Sequence, residues 1–550
     1  MDDIERIRRQ QEPRLTDEEY QRMLKLLSDG QNTNVSRFLY ELLQNADDAH
    51  YGPKTPQVII RYSDRYVLFE SNEVGFSKAN LNSICRATMS TKRGDENARD
   101  QRRSIGEKGI GFKSVFMVAT SVWINSGFYA FRFDADTPLG RVRPIWDEDW
   151  PSRLTKSKGF TSILLMLPDN KRPPTDMKIV DPTEVIRGMK ELDPMDLIFL
   201  SRLKNVHIQL VDDNGFAKKI LGPTRWQTTL KVDAIPETVN LLMDMETHRD
   251  GIRELCVVFR YPVAGLPPSS DRPNLTTSEL ILVFSRDMGV SSGKLIFSSR
   301  RMYAFLPIRD YGFKFTIHSD FILVSNREDM EPVQWNREIV RRIPHALAEA
   351  VEQFKGKYPD LWVKWPLLLP LNGLSGDIFR SIPEGIKTAF SLRNVLEDAN
   401  GLCVRPHEVR IVPKHLRDRH GTPFLPHSCS KMHVLSEKYS EEARDKLIEL
   451  GVEYLSHEAF LQDLSVFILN HHTEFVQKSD PWHDELCKLL SDLLDTYKYR
   501  KVIESLELVP LSKTLPNGDH EWVSPKAGKL YFPVETRGLR LPPCIEGCKE

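Results

Sequence analysis

Glu41, Asn45 and Asp48 are spaced four and three residues apart in the stretch Glu41-Leu-Leu-Gln-Asn45-Ala-Asp-Asp48. On a helix these intervals put all three side chains on one face. Across residues 35–48 the apolar Val35, Phe38, Leu39, Leu42, Leu43 and Ala46 follow the helical period, with Phe38, Leu42 and Ala46 stacked on the opposite side. A carboxylate one turn before a carboxamide, with a second carboxylate a turn later, suits a metal–phosphate site. One group orients a water, and the next completes the sphere of a Mg²⁺ ion that keeps waters of its own. The same pattern also fits the solvated face of an amphipathic helix.

Two further segments bear on that choice. Ser104-Ile-Gly106-Glu-Lys108-Gly109-Ile-Gly111-Phe112-Lys113-Ser114 is a glycine run that turns apolar and helical at once. Glycines let backbone approach an anion closely, and a helix opening at Phe112 would aim its free N–H groups at it. The run is not a dinucleotide fingerprint, because no acidic residue closes a following strand in a βαβ unit. Nor is it a P-loop, which would end in Gly-Lys-Ser/Thr. Between helix and glycine run, Phe69-Glu-Ser71-Asn72-Glu73-Val74-Gly75-Phe76 reads as a strand end entering a loop.

Taken in order, the three segments resemble the ATP-binding GHKL superfamily of gyrase, the ninety-kilodalton heat-shock chaperone, histidine kinases and MutL. The likeness is strongest to its sacsin and NO VEIN branch. The resemblance implies an α+β, Bergerat-type fold that binds ATP with Mg²⁺. It gives Glu41 the role of general base, Asn45 that of Mg²⁺ ligand and Asp48 that of helix-end acid. Gly106, Gly109 and Gly111, with Lys108 and Phe112 of the same run, would cradle phosphates. Ser90, Thr91 and Lys92 would open the lid, and Thr161 would lie near adenine. Counting back from Gly75, the family's adenine-reading aspartate falls on Ser71, so Ser71 and its neighbour Asn72 would read the base through neutral groups and water. Arg327, in Ser325-Asn-Arg327-Glu, resembles the heat-shock chaperone's middle-domain arginine that reaches the γ-phosphate. A surface ion pair with Glu328 or Asp329 is the alternative for it.

These groups need a scaffold. Residues 58–62 and 66–70 read as a hairpin turning at Ser63-Asp64, with further strands near 121–125, 129–133, 162–167 and 206–210. Helices are expected over 79–89 and 181–192, and the polar stretch 91–103 suits a mobile lid. Helices over one mixed or antiparallel sheet follow for the first part of the chain. The expected domains are an N-terminal helical segment (1–30), an ATP-binding domain (31–215), a strand-rich middle domain (216–340) and a mainly helical region (341–550). Thr16 and Glu19 carry capping-box spacing. In some members of the resembling family the N-terminal segment packs across from a partner subunit, so a homodimer is one expectation. Helices are expected over 343–354, 440–450, 458–469 and 485–499.

Composition sets bounds. The 550 residues, 40% apolar and 28% charged, are ordinary for a globular chain, and a net charge of −1 gives no basic field for nucleic acid. There is no long apolar run for a membrane span and no apolar core of a signal peptide. Seven scattered cysteines fit a reducing compartment, the cytosol or nucleus. Cys403, His407, Cys429 and His433 repeat one spacing and could hold a structural zinc, although the segment is simply rich in histidine. The C-terminal end looks cut, since members of the resembling family are commonly longer. Function narrows to an ATP-hydrolysing, chaperone-like protein with a protein client, or a nucleotide-sensing scaffold that binds ATP with little hydrolysis. The near-zero charge disfavours a DNA-acting relative. A histidine kinase lacks support, because no helix carrying a phospho-acceptor histidine precedes the nucleotide box.

Overall fold

A computed structural model describes residues 1–11, 37–85, 111–137, 139–151, 154–168, 182–212, 227–250, 252–269, 272–287, 294–295, 297–324, 328–430, 432–514 and 520–527. The protein has a mixed α+β architecture that divides into two compact units. One comprises Met1–Ala346 with Gly373–Arg380, the other Leu347–Asn372 with Ser381–Glu550.

The first unit is built on one 15-stranded sheet. Its earlier strands are β1 (Val58–Tyr62), β2 (Tyr66–Ser71), β3 (Ser121–Ser126), β4 (Tyr129–Asp134), β5 (Ile145–Trp146), β6 (Thr161–Met166) and β7 (Asn205–Leu210). The later ones are β8 (Gln227–Val232), β9 (Leu242–Arg249), β10 (Ile252–Ala264), β11 (Thr277–Asp287), β12 (Lys294–Leu295), β13 (Arg301–Ala304), β14 (Leu306–Asp310) and β15 (Thr316–His318). They lie in the order β5-β4-β3-β6-β2-β1-β7-β8-β9-β10-β11-β15-β13-β14, with β12 on β11. The β1/β7 and β13/β15 pairs are parallel and the others antiparallel, so the sheet is mixed. The two regions expected on either side of residue 215 therefore share one hydrogen-bonded sheet through β7 and β8.

The β1–β2 hairpin forms as its alternation dictates. Val58 pairs with Ser71, Tyr62 with Val67, and Ser63 N–H donates to the Tyr66 carbonyl at 2.9 Å across the turn. Successive side chains then point to opposite faces. Val67 and Phe69 join the core beneath the helices, while Tyr66 and Leu68 join a smaller cluster with Leu164 on the other face. Helix α1 (Asp2–Gln11) buries Ile4 and Ile7 in the larger core. Thr16 and Glu19 lie outside the described residues.

Helix α2 (Arg37–Asp47) departs from expectation. From Phe38 to Asp47 every residue except Asn45 is buried, Glu41 and Gln44 included. Of the polar face, Glu41 is covered and Asn45 stays exposed, as α2 shares its core with the sheet and packs against the 3₁₀ helix Gly111–Met117. Its polar groups are matched accordingly. The Asp47 carboxylate accepts backbone N–H groups from Ser201 (2.8 Å), Arg202 (2.6 Å) and Leu203 (2.7 Å), just ahead of β7. The Tyr40 hydroxyl donates to Asp196 at 3.0 Å, and Tyr303 of β13 donates to the same carboxylate at 3.1 Å. Burial pushes the Asp196 carboxyl up to about 6.

In the second unit, Ser440 and Ser456 cap the helices Glu441–Leu450 and His457–Asn470 by accepting from Ala443 and Ala459 N–H. The helix expected over 485–499 is two helices, Asp480–Leu493 and Tyr497–Ile503, because the apolar stripe continues across a break. The helix expected from 343 begins earlier, as Gln334–Glu352, and runs through Pro344. Burial of Trp335, Ile339, Val340 and Ile343 ahead of the proline offsets the lost hydrogen bond.

Asp47→Ala removes a buried carboxylate that takes three backbone N–H groups, of which that of Leu203 is buried, and a buried donor left unmet costs ~1–3 kcal/mol. Chemical denaturation should register a loss on the order of 3 kcal/mol. A variant within about 0.5 kcal/mol of wild type would show that water replaces the carboxylate there.

Candidate functional site

Three neighbouring strands end in hydroxyl side chains. Ser71 closes β2, Thr161 opens β6 and Ser126 closes β3, and these strands are adjacent in the sheet. Ser71 sits across from Thr161, and Asn125 across from Ser162, which brings Ser126 beside Thr161. Alternation puts Ser71 with Phe69, Thr161 with Ile163 and Ser126 with Ile124, all on the face beneath α2. The apolar floor therefore finishes in a polar rim.

The rim is connected proton by proton. Phe76 N–H donates to Ser126 Oγ at 2.8 Å, and Ser126 Oγ lies 2.6 Å from Thr161 Oγ1. Either hydroxyl of the Ser126–Thr161 pair can give its proton to the other, since each oxygen can accept more than one bond. On the other side, Tyr51 O–H donates to the Ala46 carbonyl at 2.7 Å. Its oxygen stands 3.0 Å from Ser71 Oγ, so Ser71 donates to Tyr51. Burial pushes the Tyr51 phenol up to about 12. The last turn of α2 is thereby joined to the strand ends through Tyr51.

The residues singled out in the sequence fall into three groups. Ser71, Gly75 and Thr161 are gathered at this rim. Gly75 has φ +103°, and a Cβ there would stand 3.3 Å from the N and Cα of Gly127, so the close approach of two backbones requires glycine. Asn45 is exposed on the last turn of α2, Asp48 is half-buried just beyond it, and Glu41 is 4% exposed. Asn72 is different: its carboxamide accepts from Gln57 N–H at 2.8 Å and donates to the Thr55 carbonyl at 2.9 Å. Both ends of that amide clamp the approach to β1. Phe112 packs against Phe133 in the core, and Gly111 opens a short 3₁₀ helix in place of the expected α-helix. Ser90, Thr91, Lys92, Gly106, Lys108, Gly109 and Arg327 lie outside the described residues.

Sequence reasoning missed Tyr51 and Ser126 as members of the rim. The alternation Val122-x-Ile124-x-Ser126 carries a signal for Ser126, but Tyr51 is recruited only by tertiary packing. The zinc expectation is corrected. Cys429 is buried, Cys403 accepts from Lys355 at 3.1 Å and His433 binds Asp398 at 2.8 Å. Among the described residues, no three His, Cys, Asp or Glu side chains converge as a metal site. No helix of the described residues is long and apolar enough to cross a membrane.

No protein-family model matches the sequence. The chain is 28% identical to Protein NO VEIN of Arabidopsis thaliana over 577 aligned positions, covering 94% of this chain and 19% of that protein. It thus spans about a fifth of the length of this curated relative.

Lys113, in the 3₁₀ helix Gly111–Met117, is wholly buried. Its Nζ donates to the Arg141 carbonyl at 2.6 Å and lies 4.5 Å from the Phe133 ring centroid, with Phe112 and Phe116 farther off. Burial pulls the amine down to about 7 from an ordinary 10.5. Between those values the unfolded chain binds the extra proton, so this group makes stability rise with pH across that window and is at its most costly below it. Lys113→Met should therefore stabilise most at pH 6, with the advantage shrinking by up to about 1.4 kcal/mol per pH unit above 7. Parallel denaturation curves at pH 6 and pH 9.5 test this, and a pH-independent difference would contradict a depressed amine.

Proposed function

We propose that the first unit binds ATP with Mg²⁺ in a Bergerat-type site and hydrolyses it as part of a chaperone-like cycle. The observation that carries this reading is the hydrogen-bonded join from the Ala46 carbonyl through Tyr51 to Ser71. It couples the last turn of α2 to the rim of Ser71, Thr161 and Ser126. Further support comes from the motif likeness along α2 and the glycine run, and from the 28% identity to Protein NO VEIN.

The groups fit such a ligand. The exposed Asn45 carboxamide is a suitable oxygen ligand for a Mg²⁺ that keeps waters. The hydroxyl rim and the glycine-permitted approach at Gly75 suit a planar base. In this proposal Glu41 orients and deprotonates the attacking water. ATP itself supplies the reactive phosphoryl group. A second reading, a sensor that binds ATP with little turnover, is favoured by the burial of Glu41, which leaves its carboxylate little access to water.

Calorimetric titration with ADP, ATP and a non-hydrolysable analogue, with and without Mg²⁺, tests binding. Absence of saturable binding by all three removes both readings. Glu41→Ala should retain nucleotide affinity and lose turnover by ~10²–10⁴-fold. Equal loss of both would make Glu41 structural. Asn45→Ala should abolish both, and undiminished ATP affinity would remove Asn45 from the site.

A further inference from the structure

We infer that His415 and His457, in the second unit, form a two-histidine site for a divalent transition-metal ion that takes its ligands at right angles, Cu²⁺ or Ni²⁺. The site is independent of the nucleotide reading of the first unit.

Two imidazoles meet here. His415 Nε2 and His457 Nε2 stand 2.9 Å apart, and the ring centroids 4.9 Å apart with the planes at 55°. Because the centroids are farther apart than the nitrogens, the rings meet tip to tip and not face to face. Two Nε2 atoms so placed can share one proton, one ring donating and the other accepting, or turn both lone pairs on one ion. The separation selects the ion. A bond from imidazole nitrogen to such an ion is about 2.0–2.1 Å long. Two nitrogens at right angles on a square-planar or tetragonal ion then stand about 2.8–3.0 Å apart, against about 3.3–3.4 Å at the tetrahedral angle. The pair fits the first arrangement.

Both backbones are held from behind. His415 lies in the 3₁₀ turn Lys414–Leu416, where Leu416 is buried and its carbonyl accepts from Phe424 N–H at 3.3 Å. His457 opens the helix His457–Asn470, which Ser456 caps and buried Phe460 anchors. Leu416, Leu455 and Phe460 belong to one apolar cluster, so a single support aims two rings 42 residues apart in the chain. His415 is exposed and His457 half-buried, which leaves water free to fill the other positions on the ion. The nearby ammonium groups are paired, Lys414 with Glu441 and Lys498 with Glu458. Within the same histidine-rich segment, His420 Nε2 accepts from Arg419 Nε at 3.2 Å and His433 Nδ1 donates to Asp398 at 2.8 Å. The positive end of the helix that opens at His457 works against a cation, so the affinity should be modest and exchange fast.

The test is Cu²⁺ titration of the full, untagged chain, followed by electron paramagnetic resonance. Wild type should bind an ion whose spectrum shows coupling to two ring nitrogens. His415→Ala and His457→Ala should each lose that spectrum, and the double variant should bind no more weakly than either single one, because the two ligands act as a unit. His420→Ala should keep it. Ni²⁺ should raise the melting temperature of wild type and of His420→Ala, and of neither pair variant. Melting without metal should be the same in all of them, which separates loss of a ligand from loss of the fold. A wild type without two-nitrogen coordination overturns the site, and so do an affinity and a spectrum that survive both single substitutions.

Discussion

The carboxylate of Asp47 is the constraint on which the first unit depends. Helix α2 is buried almost all round, and a buried helix end with loose backbone donors nearby would be untenable. Asp47 resolves this by taking the N–H groups of residues 201–203, which fixes the chain at the point where it enters β7. β7 is the hinge of the sheet's topology, parallel to β1 on one side and antiparallel to β8 on the other. The seating of α2 therefore sets the position at which the strands of the earlier and later regions meet. Tyr40 adds a second tie about two turns earlier, through Asp196 to Tyr303 on β13. The helix that carries Glu41 is thus bonded to both parts of one sheet.

This arrangement has a cost. Burial pushes the Asp196 carboxyl up to about 6, so desolvation works against its charged form. Two tyrosine hydroxyls and the Asp193 N–H at 3.0 Å satisfy it. Removing any one partner would leave a buried group short of a bond, which is more damaging than replacing the whole set by apolar groups. Such a network specifies one geometry between α2 and β13.

Much of this was legible in the sequence. Helix α2, the β1–β2 hairpin and the strands β3, β4, β6 and β7 all follow from period and turn chemistry. Ser71, Gly75 and Thr161 were singled out together and lie together. What could not be read was what covers a face. Spacing places Glu41, Asn45 and Asp48 on one side of α2, but only packing reveals that Glu41 is enclosed and Asn45 exposed. The partners of Asn72 at 55 and 57 were hidden for the same reason, since its own neighbourhood in the sequence does not disclose them. A boundary was expected near residue 215, yet β7 and β8 pair across it and carry the sheet on. The helix expected from 343 begins at Gln334, because the residues buried ahead of Pro344 extend it backwards.

The rim also illustrates how one hydroxyl can hold two elements together. Ser71 closes β2 directly across from Thr161 and gives its proton to Tyr51, whose own proton goes to the Ala46 carbonyl. A small hydroxyl at 71 is what this join demands. An aspartate there would have no proton to give, and the Tyr51 phenol would have to choose between that carboxylate and the Ala46 carbonyl. Either choice removes the shared link between the last turn of α2 and the strand end, so the seating of the helix and the chemistry of the rim depend on one proton.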